Sequence, residues 1–323
     1  MTTSTKRKLY LHIGTSKTGT SALQFFLYEN REQLRASGFL YPANQVLSLK
    51  DPKHQSFFNS IRSGRKDRFD ALLQALGSEL NHHLHTVILS SEGFYNHMHE
   101  LTDQSWSLIR ELAAAYSMQI IVYLRPQYEF IESQYRQYMQ NPRGINAEYG
   151  SGITIQELME RPRIMQNLDY YGSLMKWASV VGEDRIIVRR YTKNVVDDFL
   201  SVLNLKIKQH EPRQRRNVSL SREMAELLRC INTSFDDQTR ERLIAAMEEH
   251  LARHPLAENK TFLSPSQGRA LMERYREGNC RVARTWLQED VLFPGYVVGD
   301  SDTWEPVRIV REQMLSRLSG GTM

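Results

Sequence analysis

Lys8-Leu-Tyr-Leu-His-Ile-Gly14-Thr-Ser-Lys-Thr-Gly-Thr-Ser21 is the stretch that decides the fold. Its first half is a short apolar run that stops at a glycine, the pattern of a buried strand. From Ser21 to Leu34 the apolar residues Leu23, Phe26, Leu27 and Leu34 fall near helical spacing, so a helix follows at once. Between the two lies a tight turn framed by Gly14 and Gly19 and rich in hydroxyls. A strand, a glycine-framed turn and a helix form the opening unit of an α/β sheet.

The same alternation continues outward. Ser37-Gly-Phe-Leu-Tyr-Pro42 reads as a turn and a short extended piece, and Phe69 to His83 as a helix. His85 to Ser90 is a second strand, Ser105 to Tyr116 a helix, Gln119 to Arg125 a third strand and Glu129 to Met139 a helix. Arg185 to Tyr191 is the fourth strand, followed by a helix through Val195, Phe199 and Leu203. Strands alternating with helices predict right-handed crossovers and a parallel sheet covered on both faces. Residues 140–165 interrupt the pattern with the loop signals Asn141-Pro-Arg-Gly and Tyr149-Gly-Ser-Gly, an excursion that reads as a binding lid. After Pro212 the strand signals stop, and Ser221 to Ile231, Arg240 to Ala252 and Ser266 to Leu287 read as helices. The expectation is one domain over 1–323, with an α/β core in 1–210 and a helical C-terminal portion in 211–323.

Composition narrows the function. With 323 residues and 41% apolar content the chain can bury a full core and is not intrinsically disordered. No apolar run is long enough for a transmembrane helix, and Leu9 to Ile13 is too short for a signal-peptide core. Two cysteines, Cys230 and Cys280, exclude a disulfide scaffold and a four-cysteine metal site, and point to a reducing, cytoplasmic setting. The formal charge is +5, from 42 Lys+Arg against 37 Asp+Glu, which suits an anionic ligand. No basic stripe with interleaved aromatics appears, so nucleic acid is not an expected partner.

The turn after the first strand has the chemistry of a phosphate site. Glycines let the backbone fold tightly, and amides converge at a helix N-terminus. The hydroxyls of Thr18, Thr20 and Ser21 are further donors, and Lys17 on the crest is a point charge within reach of a bound phosphate chain. The standard nucleotide phosphate loop has lysine directly after its second glycine. Here Thr20 holds that slot and the lysine sits earlier, at Lys17.

This variant resembles the 5′-phosphosulfate loop of sulfotransferases that use 3′-phosphoadenosine 5′-phosphosulfate (PAPS), which carry Lys-[Thr/Ser]-Gly-Thr-[Thr/Ser] after the first strand; Lys17-Thr-Gly-Thr-Ser21 fits it. A second stretch, Ile121-Val-Tyr-Leu-Arg125-Pro-Gln-Tyr-Glu-Phe-Ile-Glu-Ser133, resembles the family's 3′-phosphate motif, with arginine at a strand end and serine eight residues on. Ser37 to Pro42, Leu168 to Ile187 and Arg216 to Ser221 resemble further family segments, and the likeness covers roughly residues 8–230. It implies a phosphate-loop-like sulfotransferase fold and PAPS as co-substrate without a metal. Gly14, Ser16, Lys17, Thr18, Gly19, Thr20 and Ser21 are then expected at the 5′ end of the nucleotide. Arg125, Ser133 and, in the basic segment Arg215-Arg-Asn217, Arg216 are expected at the 3′ end. Lys17 is expected to stabilise the bridging oxygen as the sulfuryl group leaves.

The resemblance further implies a base on the strand before the Arg125 strand, which here ends Leu89-Ser90-Ser91-Glu92. Open parallel sheets place ligands at this carboxyl edge, and Glu92 is the candidate there. His12, His54, His97 and His99 are rivals, His12 reading more simply as a core residue. None has metal-ligand spacing with a carboxylate and a cysteine, so zinc is not expected. Tyr170, Tyr171 and Trp177, at near-helical spacing, read as core rather than as a substrate platform. The acceptor expected is an oligosaccharide or a small hydroxylated molecule. A phosphate-loop kinase or nucleotide hydrolase is the alternative, and it calls for a lysine at position 20 and a metal-binding carboxylate. A non-catalytic nucleotide-binding protein is the third class, opposed by the joint presence of Lys17, Arg125, Ser133 and Glu92.

Overall fold

The computed structural model describes residues 6–43, 52–141, 149–207, 221–253 and 261–294. The chain divides into two compact units. One holds Met1–Arg125, Gln166–Pro212 and Tyr275–Gly295; the other holds Pro126–Met165, Arg213–Arg274 and Tyr296–Met323.

The first unit is an α/β layer structure around a five-stranded, all-parallel sheet. Its strands are β1 (Lys8–His12), β2 (Phe39–Leu40), β3 (Thr86–Ser90), β4 (Ser117–Leu124) and β5 (Ile186–Arg190), in the order β2-β3-β1-β4-β5. β1 is central, with His12 opposite Ser90 on one side and Ile121 on the other. All five residues of β3 are buried, the continuous apolar pattern of a strand covered on both faces. The connection leaving β1 runs to one side and the connection leaving β4 to the other. The chain therefore leaves the carboxyl ends of the neighbouring strands β1 and β4 in opposite directions, the switch point at which such sheets bind ligands.

On one face Ile88, Ile121 and Tyr123 pack with Leu23, Leu27 and Leu34 from the first helical region and with Val195, Phe199 and Leu203 beyond β5. Each leucine removed from water there contributes roughly 1.5–3 kcal/mol. On the other face the helices Asp103–Ala115 and Tyr170–Val181 lie against β4. Trp177 and Tyr170 are buried, as the core reading expects, whereas Tyr171 is half-buried beside Trp286. The borders of the sheet are blunted. β2 has two residues, and Arg190 on β5 pairs with Glu289 and donates to the Val291 carbonyl at 3.1 Å.

The predicted helix from Ser21 to Leu34 is two helices, Thr20–Glu29 and Arg31–Ala36. The break falls at Asn30, whose side chain donates to the Phe26 carbonyl at 2.9 Å and so competes with the helical ladder. The predicted helix over 266–287 is likewise divided, into Pro265–Arg274, Arg276–Val282 and a π-helical turn Ala283–Leu287.

The second unit is helical. Gln127–Gln140 packs against Ile155–Met159, Arg222–Ser234 and Pro265–Arg274, and buries Phe130, Tyr135 and Tyr138. Its C-terminal end is tied by buried Arg240, which donates to the Met139 and Asn141 carbonyls at 3.4 and 2.9 Å and to Asn232 Oδ1 at 2.6 Å. Glu132 is buried in the same unit, accepts the Phe262 and Leu263 amides at 2.8 and 3.2 Å, and has its carboxyl pushed up by burial. The expected lid thus contains ordered helix from Ile155 onward, while 142–148 lie outside the described residues.

Candidate functional site

β1 ends at His12, and the chain runs straight into the loop. Three hydrogen bonds lay the loop's start against β4: the Tyr123 amide donates to the Gly14 carbonyl at 2.9 Å, and the Thr15 amide and hydroxyl donate to the Tyr123 carbonyl at 3.3 and 3.1 Å. From there the backbone alternates in hand. Lys17 and Gly19 have φ of 65° and 75°, while Ser16, Thr18 and Thr20 stay on the ordinary negative side. Alternation of this kind turns successive amides into one concavity, a nest for an anion. The nest opens onto the N-terminus of the helix Thr20–Glu29, where Gly19 supplies no capping side chain. The first amides of that helix have no partner within it, which adds to the positive field.

The hydroxyls do something other than the sequence suggests. Thr18 and Thr20 are buried, and both donate to the Thr15 carbonyl, at 2.7 and 3.2 Å. They fold the loop on itself, and in this arrangement the anion-facing donors are the amides. Ser21 stands exposed at the first helical turn and Lys17 exposed on the crest. Ser16 is held by a residue that sequence reasoning missed. Buried Asn96 accepts from the Ser16 amide at 3.3 Å and donates to its hydroxyl. Nothing in the local sequence pattern marks Asn96, since its partner lies 80 positions away.

Glu92 lies directly against this loop. A Cβ built on Gly14 would stand 3.3 Å from both Cα and Cβ of Glu92, so only glycine gives that approach without strain. The Glu92 side chain is half-buried, and among the described residues nothing hydrogen-bonds or ion-pairs with its carboxylate. Glu92 precedes the short helix Gly93–Asn96 and Asn96 ends it, so one turn of chain carries both the candidate base and the brace of the loop.

Arg125 follows β4 and reaches the loop from the other side. Its guanidinium donates to the Lys17 carbonyl at 2.8 Å and lies over the Tyr191 ring, 5.2 Å from its centroid. Its own carbonyl accepts from the Tyr170 hydroxyl at 2.7 Å. A left-handed lysine is disfavoured by roughly 1–3 kcal/mol. A hydrogen bond from a charged donor, roughly 1.5–3 kcal/mol, is of the size needed to hold it. Gly19 is crowded as well: a Cβ there would meet Val195 Cγ1 at 2.8 Å.

The four rival histidines divide cleanly. His12 is fully buried, pairs through Nδ1 with Ser90 Oγ at 2.8 Å, and stands edge-on to Tyr123 and Phe199. Burial pushes its imidazole down to about 3. Gln24 donates to the same Ser90 hydroxyl at 3.1 Å, a second residue with no local sequence signal. His54 is buried too, accepting the Ser90 amide on Nδ1 and facing the Pro42 carbonyl with Nε2, both at 2.9 Å. With Nδ1 accepting, the proton is on Nε2, so this ring joins the end of β3 to the segment after β2. His97 pairs with Glu100 at 2.6 Å, while His99 is 3.7 Å from the same carboxylate. Burial opposes the Glu100 charge, yet the His97 hydrogen bond, with the charges of His97 and Arg62, holds its carboxyl below the usual range.

The structure thus brings together the loop from Gly14 to Ser21, Glu92 and the Arg125 guanidinium within one unit. Ser133 is half-buried on the helix Gln127–Gln140 of the other unit. Arg215, Arg216 and Asn217 lie outside the described residues. Among the described residues no three His, Cys, Asp or Glu side chains cluster as a metal site, and no helix is long and apolar enough to cross a membrane. A surface hollow lined by Arg35, Gly38, Asn81 and His83 lies at the opposite edge of the sheet and contains none of these groups.

No family model matches the chain. A search of curated proteins finds similarity to an uncharacterized protein of Archaeoglobus fulgidus, 27% identical over 210 residues, which is 62% of this chain. The match spans 54% of that protein's length, about half of it. Among solved structures the chain is similar to a sulfotransferase from Alicyclobacillus acidocaldarius, at 15% identity and a TM-score of 0.40, over 76% of this chain and 92% of that one. A likeness that loose decides neither fold nor activity; the sheet order and the loop stand on their own residues.

Proposed function

We propose that this protein is a sulfotransferase that moves a sulfuryl group from PAPS to a hydroxyl or amine, on a carbohydrate or glycoconjugate acceptor. The observation that carries the reading is the meeting of three groups at the carboxyl edge of β1. These are an amide nest with alternating φ, a lysine on its crest at position 17 rather than 20, and a half-buried carboxylate against Gly14.

The residues fit an anion of this kind. The nest offers amides, turned to one side by the positive φ of Lys17 and Gly19. PAPS, when bound, supplies an activated sulfuryl group on a phosphate leaving group. The loop amides hold the 5′ end and fix its direction. The Lys17 ammonium offsets negative charge that grows on the leaving oxygen, an interaction stronger in the transition state than before it. The Glu92 carboxylate takes the proton of the acceptor hydroxyl. The Arg125 guanidinium offers a fork matched to a phosphate at the 3′ end. Ser133 and Arg216 enter at that end on the sequence resemblance alone. A threonine at position 20 speaks against the kinase alternative, whose phosphate loop carries lysine there.

The test is a calorimetric titration with adenosine 3′,5′-bisphosphate, ADP and ATP, each with and without magnesium. The proposal expects the bisphosphate to bind tightest and magnesium to change nothing. Tighter binding of ATP that depends on magnesium overturns it.

A further inference from the structure

The contact between Arg125 and the phosphate loop has a second consequence, which rests on the phosphate-site reading above. Arg125 Nη1 donates to the carbonyl of Lys17, the residue held at φ 65°. The Lys17–Thr18 peptide is trans, so its carbonyl and its amide point in opposite directions. Fixing the carbonyl toward Arg125 therefore fixes the Thr18 amide away from it. In a nest the amides face the concavity and the carbonyls face out, so Arg125 grips the convex side of the loop. Side chain and main chain of Arg125 are each held in place. The guanidinium lies over the Tyr191 ring, and the Tyr170 hydroxyl anchors the Arg125 main chain.

We propose that Arg125 is a positioning residue for the 5′-phosphate subsite: by holding the Lys17 carbonyl it presets the loop amides before any ligand arrives. The resemblance to sulfotransferases gives this arginine a role only at the other phosphate. One guanidinium then serves both ends, at the 3′ end by the sequence resemblance and at the 5′ end through its contact with the loop. Ligands with a 5′-phosphate alone must then feel the arginine, although they present nothing for it to bind.

The experiment compares wild type, Arg125→Ala and Arg125→Lys by calorimetry with adenosine 5′-phosphate and adenosine 3′,5′-bisphosphate, with circular dichroism to check folding. Arg125→Ala is expected to weaken the 5′-monophosphate about tenfold or more, the size of a lost hydrogen bond to a charged group. Arg125→Lys, which keeps a cationic donor, is expected to recover part of that loss. If Arg125→Ala is folded and binds the monophosphate within about twofold of wild type while the bisphosphate weakens, the inference is overturned and the phosphate-site reading survives. If Arg125→Ala does not fold, Arg125→Lys decides. An ammonium is a weaker and less directional substitute for the fork, so a monophosphate affinity identical to wild type overturns the inference, and a measurable loss supports it. A wild-type protein that binds neither nucleotide overturns both readings.

Discussion

Gly14 and Glu92 are in contact, such that the smallest added side chain on the glycine would meet both Cα and Cβ of the glutamate at 3.3 Å. Gly14 also has φ of 103°, where a side chain is strained in any surroundings. Gly14→Ala is therefore expected to destabilise the protein by roughly 1–3 kcal/mol. It is also expected to weaken adenosine 3′,5′-bisphosphate binding by tenfold or more, because the loop must move away from Glu92. Denaturant unfolding and calorimetry check the two effects separately.

Glu92→Gln removes a carboxylate that nothing among the described residues bonds, so it leaves no orphaned partner. Stability is expected to change little, and nucleotide affinity to stay within about twofold. Turnover is expected to fall by roughly a hundredfold to ten-thousandfold, the usual scale for a general base. Steady-state kinetics with PAPS and a responsive acceptor measure this, and an undiminished kcat would remove Glu92 from the reaction.

Lys17→Ala is expected to lower kcat by roughly a hundredfold to a thousandfold, as when one donor to developing charge is lost. Its side chain is exposed on the crest, so the fold should be intact. Lys17→Gly separates charge from conformation. It relaxes the φ of 65° and should lose the same turnover without loss of stability. Transfer from PAPS that survives in either variant shows that the ammonium has no part in the step.

His12 gives a pH dependence to stability and none to catalysis. Burial lowers its folded-state value to about 3, against about 6.5 in an unfolded chain. Between those values the unfolded chain takes up a proton that the folded one refuses. The contribution is therefore fully present above about 6.5 and is lost as the pH falls through the window toward 3, by roughly 1 kcal/mol per pH unit. Urea unfolding of wild type and of His12→Gln at pH 7 and pH 5 measures it. The variant should show a shallower loss, and the pH profile of turnover should have no limb from His12.

The strand pattern was legible because β1, β3, β4 and β5 each carry a short apolar run, fully buried along β3 and mixed with polar residues at the ends of β1 and β5. The loop was legible because its glycines and lysine have a fixed spacing. Periodicity is silent about other features. β2 has two residues, too few to show a period, and its position beside β3 comes from pairing. The helix Gln55–Arg62 buries Phe57, Phe58 and Ile61 between Pro42 and Phe69, where the sequence pattern assigns no element. Asn96 and Gln24 are polar residues whose buried partners lie 80 and 66 positions away, and separations of that size leave no local trace. The hydroxyls of Thr18 and Thr20 show the opposite case. Their residue types pointed outward to a ligand, while the fold turns them inward to Thr15.

The short β2 and the guarded β5 also bear on how the protein behaves when crowded with its own copies. A parallel sheet that ends in long, bare main chain invites a neighbour to add a strand and so begin a fibre. One border here offers two residues of backbone, and at the other the arginine following Arg189 draws the chain around Glu289 across its flank. Among the described residues the sheet therefore offers a second copy little bare main chain, and concentrated stocks should resist cross-β assembly at these two borders.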